Sequence, residues 1–412
     1  MRICFVSRRF FPAISGMSVY ALNLVRELAA AGHDVTMISQ YRGDPLGTRV
    51  YGGGPPPSVP GVKVIGHEQL GEQGTDGASP GDFERDVDAM VAAIEREHAL
   101  APFDILHAQY GYPTGWAVLL ASRRLGLPCL VSIQGGDGHW VGSCCETHRL
   151  AMTRVLDHAG AVLIGGESFV DEVSGRLGTA RERFTIVPGA VDATRFRPDD
   201  ESRVGEGAAR ILFHGRVDRR KGALDFIDAL ALLRDRGIPF AATISGIGPD
   251  SDPARERAEA LRLGDALRFT GYADYDAVPG IYREADIFAS PTYAEGFSNT
   301  ILEAMASGLA VASCHAVGVS DCLRDGDNAL LTEPGDVPAH ADALARLVTD
   351  AALRRRLAQA ALAECRATYS WSVVARQIMA IYAELAGTAP DRDFTPELPM
   401  TPCRFRAEPH LL

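Results

Sequence analysis

Lysine is almost absent from this chain. Of 41 basic residues, only Lys63 and Lys221 are lysines. A genome that favours arginine codons explains the general scarcity. Against that background, a retained lysine marks a place where a compact ammonium serves better than a planar guanidinium fork. Long apolar runs are missing too, and none approaches the roughly 20 residues that cross a bilayer. The opening Met1-Arg2-Ile3-Cys4-Phe5-Val6 is short, is followed by Arg8-Arg9 and lacks a signal-peptide cleavage pattern, so it reads as a first strand. Positive charge is not in excess. The net charge of −12 argues against nucleic acid and against stable membrane association, and it suits a cationic ligand. The eight cysteines form no Cys-x-x-Cys, and adjacent Cys144 and Cys145 cannot staple distant segments. They are expected to be reduced thiols of a cytoplasmic protein, with no metal site and no cofactor. No Gly-x-Gly-x-x-Gly follows the first strand, which counts against a dinucleotide-dependent enzyme.

What is present is an ordinary globular composition, 46% hydrophobic and 23% charged, over 412 residues. Two domains of roughly 100–200 residues each are expected. Strand patterns fall at 2–7, 35–39, 62–65, 103–108, 129–133, 161–164 and 184–187, with helical spacing between many of them. Residues 43–82 are rich in glycine and proline and read either as a mobile insertion or as a substrate-covering flap. Pro188-Gly189 breaks the pattern, and 197–207 reads as a polar linker. A second alternation follows, with strands at 210–214, 240–245, 266–270, 286–290, 309–313 and 328–332. Residues 388–412 read as a poorly ordered tail. The fold class is therefore α/β, two doubly wound Rossmann-like domains facing a central cleft, the first over 1–190 and the second over 191–370.

The most informative stretch is Glu295-Gly296-Phe297-Ser298-Asn299-Thr300-Ile301-Leu302-Glu303, between a strand and a helix. Backbone N–H groups of Ser298 and Asn299 at such a helix start suit a phosphate. Glu295 and Glu303 would repel a phosphate but would accept hydrogen bonds from hydroxyls, and a nucleotide sugar offers both. Alone, Thr300-x-x-Glu303 also fits a capping box. Gly215-Arg216 and Lys221-Gly222 flank a turn into another helix, where both cations can meet a diphosphate; a solvated basic turn is the plainer alternative. Gly16 lies in the loop after the first strand and is either a turn glycine or a point of close ligand approach. Asp137 and His139 are acid/base candidates, although Asp137 could simply cap a helix. His107 reads as a buried, satisfied histidine. Gln109 and Tyr110 lie in a loop at a strand's carboxyl end. Tyr110, Tyr112 and Trp140 read either as a sugar wall or as core.

The whole pattern resembles the retaining GT-B glycosyltransferases of family 4. Glu295 and Glu303 match the family's paired-glutamate signature, and Gly215-Arg216 with Lys221-Gly222 match its second element. The resemblance implies that Arg216, Lys221, Ser298, Asn299 and the amide of Gly16 bind the donor diphosphate. It implies that Glu295 takes the donor sugar's hydroxyls and Glu303 the ribose hydroxyls. It also implies sugar transfer with retention, usually without a metal, and a final helix, 371–387, crossing back to the first domain. Many members carry His-Gly-x-Asp where this chain has Gln134-Gly135-Gly136-Asp137, so a titrating group is missing at that position.

A narrower resemblance sits in the first domain. Phe5-Val6-Ser7-Arg8-Arg9-Phe10-Phe11-Pro12, Arg49-Val50-Tyr51-Gly52-Gly53-Gly54-Pro55-Pro56-Pro57, His107-Ala108-Gln109-Tyr110-Gly111-Tyr112-Pro113 and Ser132-Ile133-Gln134-Gly135-Gly136-Asp137-Gly138-His139-Trp140-Val141-Gly142-Ser143-Cys144-Cys145 are similar to the glycosyltransferases of aminoglycoside antibiotic biosynthesis. Those enzymes join N-acetylglucosamine from UDP-GlcNAc to 2-deoxystreptamine. The partners implied are a UDP-sugar and a small cationic aminocyclitol held near Gln109, Tyr110 and Asp137. UDP-glucose, another cyclitol and a homodimer stay open. UDP-sugar 2-epimerases share the architecture and are the alternative of a different class.

Overall fold

A computed structural model of the chain describes residues 1–41, 43, 53–69, 82–198 and 208–403. The chain divides into two compact units, Met1–Pro188 with Val374–Leu412, and Gly189–Val373.

The first unit runs β1 (Arg2–Ser7), α1 (Gly16–Ala30), β2 (Asp34–Tyr41), β3 (Val62–Glu68), α2 (Asp82–Leu100), β4 (Ile105–Gln109), α3 (Trp116–Leu125) and β5 (Cys129–Ile133). It continues through the short α4 (Gly136–His139), α5 (Glu146–His158), β6 (Ala161–Ile164), α6 (Glu167–Leu177) and β7 (Phe184–Ile186). Its sheet has the order β3-β2-β1-β4-β5-β6-β7, with every pairing parallel. A parallel sheet covered on both faces needs strands that are apolar throughout, and Ile3, Cys4, Phe5 and Val6 are all fully buried.

The second unit runs β8 (Ala209–His214), α7 (Ala223–Asp235), β9 (Phe240–Ser245), α8 (Ser251–Ala260), β10 (Leu267–Gly271), α9 (Val278–Arg283) and β11 (Ile287–Ser290). Then come α10 (Asn299–Ala306), β12 (Ala310–Cys314), β13 (Leu330–Thr332), α11 (Val337–Thr349) and α12 (Ala351–Thr368). The sheet order is β10-β9-β8-β11-β12-β13, again all parallel. Alternation along β8 feeds both of its layers. Ile211 and Phe213 join Phe226 of α7, while Leu212 joins Tyr282 and Met305 on the other side.

In each sheet the strand order reverses once, between β1 and β4 and between β8 and β11. The loops leaving the carboxyl ends of these strands flank the crevice where open α/β sheets take ligands. Those loops begin at Arg8, Tyr110, Gly215 and Pro291, so the segments singled out in the sequence fall at the two switch points.

The last helix, α13 (Trp371–Leu385), is counted from Val374 onward with the first unit. Its buried Tyr382 hydroxyl lies 2.6 Å from His107 Nδ1, and His107 Nε2 lies 2.8 Å from Ser132 Oγ. Burial pushes the His107 imidazole down to about 3, so it stays neutral.

The expectation of a poorly ordered tail fails for its described part, which is tied to the first unit. Phe394 packs against Trp116 and His158, Asp391 pairs with His158 at 2.8 Å, and Thr147 donates to Pro399 O at 2.6 Å. Sequence polarity hid this because the anchors are single residues spaced along an extended segment. Residues 42, 44–52 and 70–81 of the glycine- and proline-rich insertion, and 199–207 of the linker, lie outside the described residues. The flap reading therefore falls mostly there.

Candidate functional site

In the second unit, β11 ends at Ser290 and the loop through Pro291 leads to Ser298, the N-cap of α10. Ser298 is buried and makes no side-chain cap; its Oγ lies 3.2 Å from Thr300 Oγ1. Thr300 lies inside the helix rather than at its N-cap, and Glu303 does not reach back to the helix start. Instead, Glu303 Oε2 accepts from the Tyr282 hydroxyl at 2.9 Å. The capping-box alternative is therefore not what forms. Part of Glu303 still reaches solvent, yet its carboxyl is packed deeply enough that desolvation pushes it up to about 7, with the Tyr282 bond and Arg195 opposing the shift.

Glu295 sits in the same loop, with its backbone N–H donating to Val317 O at 2.9 Å. Lys221 comes from the turn after β8, 74 positions earlier, and places Nζ 2.5 Å from Glu295 Oε2. Thr292 Oγ1 lies 3.3 Å from Glu295 Oε1. The cation expected at a diphosphate and the carboxylate expected at a sugar thus neutralise each other. Arg216 is likewise engaged, with Nε 3.2 Å from Asp218 Oδ2. Asp218 also takes Arg220, and the two arginines hold its carboxyl below the usual range despite burial. The diphosphate candidates are therefore partnered cations that an anionic ligand could recruit. Gly222 adopts φ 72° at the end of this turn, and a Cβ there would overlap Pro291 O, so the turn packs backbone to backbone on the loop after β11.

In the first unit, Gly16 is exposed and opens the 15-residue helix α1, with Ser15 capping Ser18 N at 3.2 Å. Its amide stands at the start of this helix, the kind of place where backbone N–H groups meet an anion. The other candidates here are more deeply committed. Gln109 is fully buried; Oε1 accepts from Ser7 Oγ at 2.6 Å, and Nε2 donates to Met17 O at 3.0 Å and to Gln134 Oε1 at 2.7 Å. It joins three loop origins, in place of the acceptor contact expected of it.

Asp137 is fully buried, and its carboxylate accepts backbone N–H bonds from Gly111, Gln134 and Gly135 at 2.8, 3.1 and 2.9 Å. Burial raises its carboxyl and these bonds pull it back down. With both oxygens taken by the backbone, Asp137 ties the loop after β5 to the loop after β4. That geometry gives Asp137 a positioning part between the two loops.

His139 Nδ1 pairs with Glu172 Oε1 at 2.8 Å and its ring lies 4.7 Å from Phe169, while its buried Nε2 has no hydrogen-bond partner among the described residues. Tyr110 and Tyr112 are core rather than a sugar wall, at 3% and 1% exposure. Burial raises the Tyr110 phenol to about 12.

Sequence reasoning did not single out Arg8 as a candidate. It follows β1 directly at the switch point, is 2% exposed, and sits 5.1 Å above the Tyr110 ring. Burial pulls its guanidinium below the usual arginine range, and Tyr110, Asp137 and Asp86 oppose that shift. Its position after the first strand was the available signal. Nothing local marked Tyr282 as the partner of Glu303.

Two parallel-sheet α/β units, each with its polar loops at a switch point, define the GT-B class of glycosyltransferase architecture. Sucrose-phosphate synthase from Thermosynechococcus elongatus has this fold, with a TM-score of 0.74 at 22% identity over 93% of this chain and 98% of that one. Residues 15–190 match the glycosyl transferase 4-like domain, and residues 196–363 match glycosyl transferases group 1. The chain is a glycosyltransferase of the GT-B type built from these two domains. Among its relatives, the glycogen synthase of Mycobacterium tuberculosis is 26% identical over 97% of this chain and 98% of its own length. The D-inositol 3-phosphate glycosyltransferase of Corynebacterium urealyticum is 27% identical over 93% and 96%.

Lys221→Arg tests the pair at the second unit's switch point. It keeps the charge but replaces an ammonium held 2.5 Å from Glu295 by a broader fork. Sugar transfer is expected to fall about tenfold in kcat/KM, equivalent to about 1.4 kcal/mol. Steady-state kinetics check it, and full activity would mean that the ammonium is not required.

Proposed function

We propose that the chain is a retaining glycosyltransferase moving N-acetylglucosamine from UDP-GlcNAc to 2-deoxystreptamine in aminoglycoside biosynthesis. One observation carries the narrow reading. Three separate stretches that resemble the aminoglycoside enzymes meet side chain to side chain, because Gln109 bonds both Ser7 and Gln134 at 2.6 and 2.7 Å. The similarity therefore lies in one built feature at the first unit's switch point. The relatives named for D-inositol 3-phosphate support a cyclitol acceptor, and the net charge of −12 suits a cationic one.

In this reading, Arg216 and Lys221 take the donor diphosphate with N–H groups of Ser298 and Asn299. Glu295 takes sugar hydroxyls and Glu303 takes ribose hydroxyls. The bond from the anomeric carbon to the β-phosphate oxygen breaks, and the acceptor oxygen bonds to that carbon on the same face. The acceptor's proton passes to the departing phosphate, so no protein base is needed, which agrees with the burial of Asp137. Paired cations at the diphosphate stabilise the leaving charge.

Incubating the protein with UDP-GlcNAc or UDP-glucose, with and without 2-deoxystreptamine, tests this by product mass. An N-acetylhexosaminyl cyclitol is expected. A hexosyl product only would change the donor, and a second UDP-N-acetylhexosamine of equal mass, resolved by chromatography without acceptor, would make the chain an epimerase.

Glu303 adds a pH signature. Its carboxyl, at about 7, is largely protonated below that value and accepts hydroxyl donors poorly there. Uridine, which has the ribose but no titrating phosphate, is expected to bind more tightly as pH rises from about 6 to 8, by less than tenfold per pH unit. Glu303→Gln should flatten the profile in calorimetric titration. The folded chain also keeps a proton that the unfolded chain releases between 4.5 and about 7, so this contribution to stability is present at low pH and lost as pH rises.

A further inference from the structure

Four potential metal ligands gather in the first unit, none of them a residue of the proposed donor site. Cys144, Cys145, His148 and Cys403 each present one ligand atom, and all four atoms lie within 4.8 Å of one another. Sequence spacing gave no sign of this. Cys144 and Cys145 lack a Cys-x-x-Cys frame, and Cys403 is 255 positions beyond His148.

Local structure explains the near half. Cys145 is the N-cap of α5 in extended backbone, and its Sγ accepts from His148 N at 3.4 Å. Positions three apart on a helix share a face, so Cys145 and His148 point the same way. Cys144 reaches the same point from the preceding loop, with Sγ 3.1 Å from His148 Nδ1. The far half is delivered by the tail. Thr147, adjacent to His148, bonds Thr401 from both sides: Thr401 N donates to Thr147 Oγ1 at 3.0 Å, and Thr147 N donates to Thr401 Oγ1 at 3.2 Å. Two residues on, Cys403 Sγ lies 3.5 Å from the same His148 Nδ1.

We propose that Cys144, Cys145, His148 and Cys403 form a structural zinc site that fastens the C-terminal segment to the first unit. Zinc takes four such ligands tetrahedrally, at about 2.3 Å for sulfur and 2.0–2.1 Å for nitrogen. Those bonds put neighbouring ligand atoms roughly 3.6–3.8 Å apart, and here two thiols lie 3.1 and 3.5 Å from His148 Nδ1 with all four atoms within 4.8 Å of one another. Three thiols around one imidazole nitrogen are a poor hydrogen-bonding set, since they offer three weak donors to a single good acceptor. One zinc ion satisfies all four atoms, and the three thiol protons leave to solvent on binding. With every position filled by the chain, the site is closed and takes no part in sugar transfer. Its reach is nonetheless functional. The His148 ring lies 4.4 Å from Tyr112, whose neighbour Gly111 is tied to Asp137. Zinc would therefore brace the loop after β4 from behind.

The test uses the full chain, purified under reducing conditions from zinc-replete medium. Elemental analysis is expected to give one zinc per chain, which survives dialysis and is released by a mercurial thiol reagent. Cobalt(II) in its place should show the intense visible bands of a tetrahedral thiolate complex. The Cys145→Ser/Cys403→Ser double variant should lose both the zinc and the cobalt spectrum. The wild-type measurements stand whether or not that variant folds. Wild-type protein that neither holds nor takes up zinc or cobalt would overturn the proposal. So would full zinc content in the double variant, or a disulfide from Cys403 to Cys144 or Cys145 in peptides of the reduced preparation.

Discussion

Replacing Glu295 with alanine is expected to lower kcat for sugar transfer by on the order of 10²–10³ while leaving UDP affinity unchanged or slightly higher. The asymmetry follows from the pairing. Glu295 holds Lys221 at 2.5 Å, and the side chains are 12% and 33% exposed, so the pair is partly screened from water. Removing the carboxylate takes away the acceptor proposed for the sugar's hydroxyls. It also frees an ammonium that a diphosphate can use. Binding of UDP, which lacks the sugar, should therefore hold while turnover collapses. Calorimetric titration with UDP beside single-turnover transfer separates the two effects. A parallel loss of both would mean that the pair mainly supports the loop, and the sugar role of Glu295 would fall.

Gly222→Ala should be among the most damaging small substitutions in the second unit. Two costs combine there. The residue sits at φ 72°, which disfavours any side chain, and the new Cβ overlaps Pro291 O, a backbone atom that cannot swing aside. Together they should cost about 2–4 kcal/mol and pull the loop carrying Glu295 away from Lys221. Gly237 supplies the control, because its φ is 68° but nothing lies within 4 Å of its added Cβ. Gly237→Ala should show only the conformational cost, about 1 kcal/mol. Thermal unfolding of the two variants isolates the overlap. Equal losses would show that the turn and the loop after β11 are not in contact.

The regular elements were legible because parallel strands must be apolar along their length, as Ile3 to Val6 and Ile287 to Ala289 are. The paired glutamates were legible because a strand, turn and helix in succession constrain what nine residues can do. The partners of these residues were not. Lys221 to Glu295, Tyr282 to Glu303 and Cys403 to His148 are closures between distant segments, and no local pattern encodes which ones meet. Helices α5 and α6 went unassigned because their exposed faces are charged and their buried faces are narrow, with Phe169, Val170 and Val173 carrying much of α6. For Asp137, residue type suggested proton chemistry, and only the three converging N–H groups reveal an organiser.

The first unit is split in sequence, with Val374–Leu412 completing what Met1–Pro188 begins. A ribosome therefore releases the sheet-forming part of this unit early and the helix bearing Tyr382 last, after all of Gly189–Val373. Until then the His107 imidazole lacks its phenol partner, and Trp116 lacks Phe394. The second unit can finish folding while the first is still open, which reverses the usual order in which the N-terminal domain folds first. Nascent chains stalled before residue 374 should accordingly be the ones that chaperones hold.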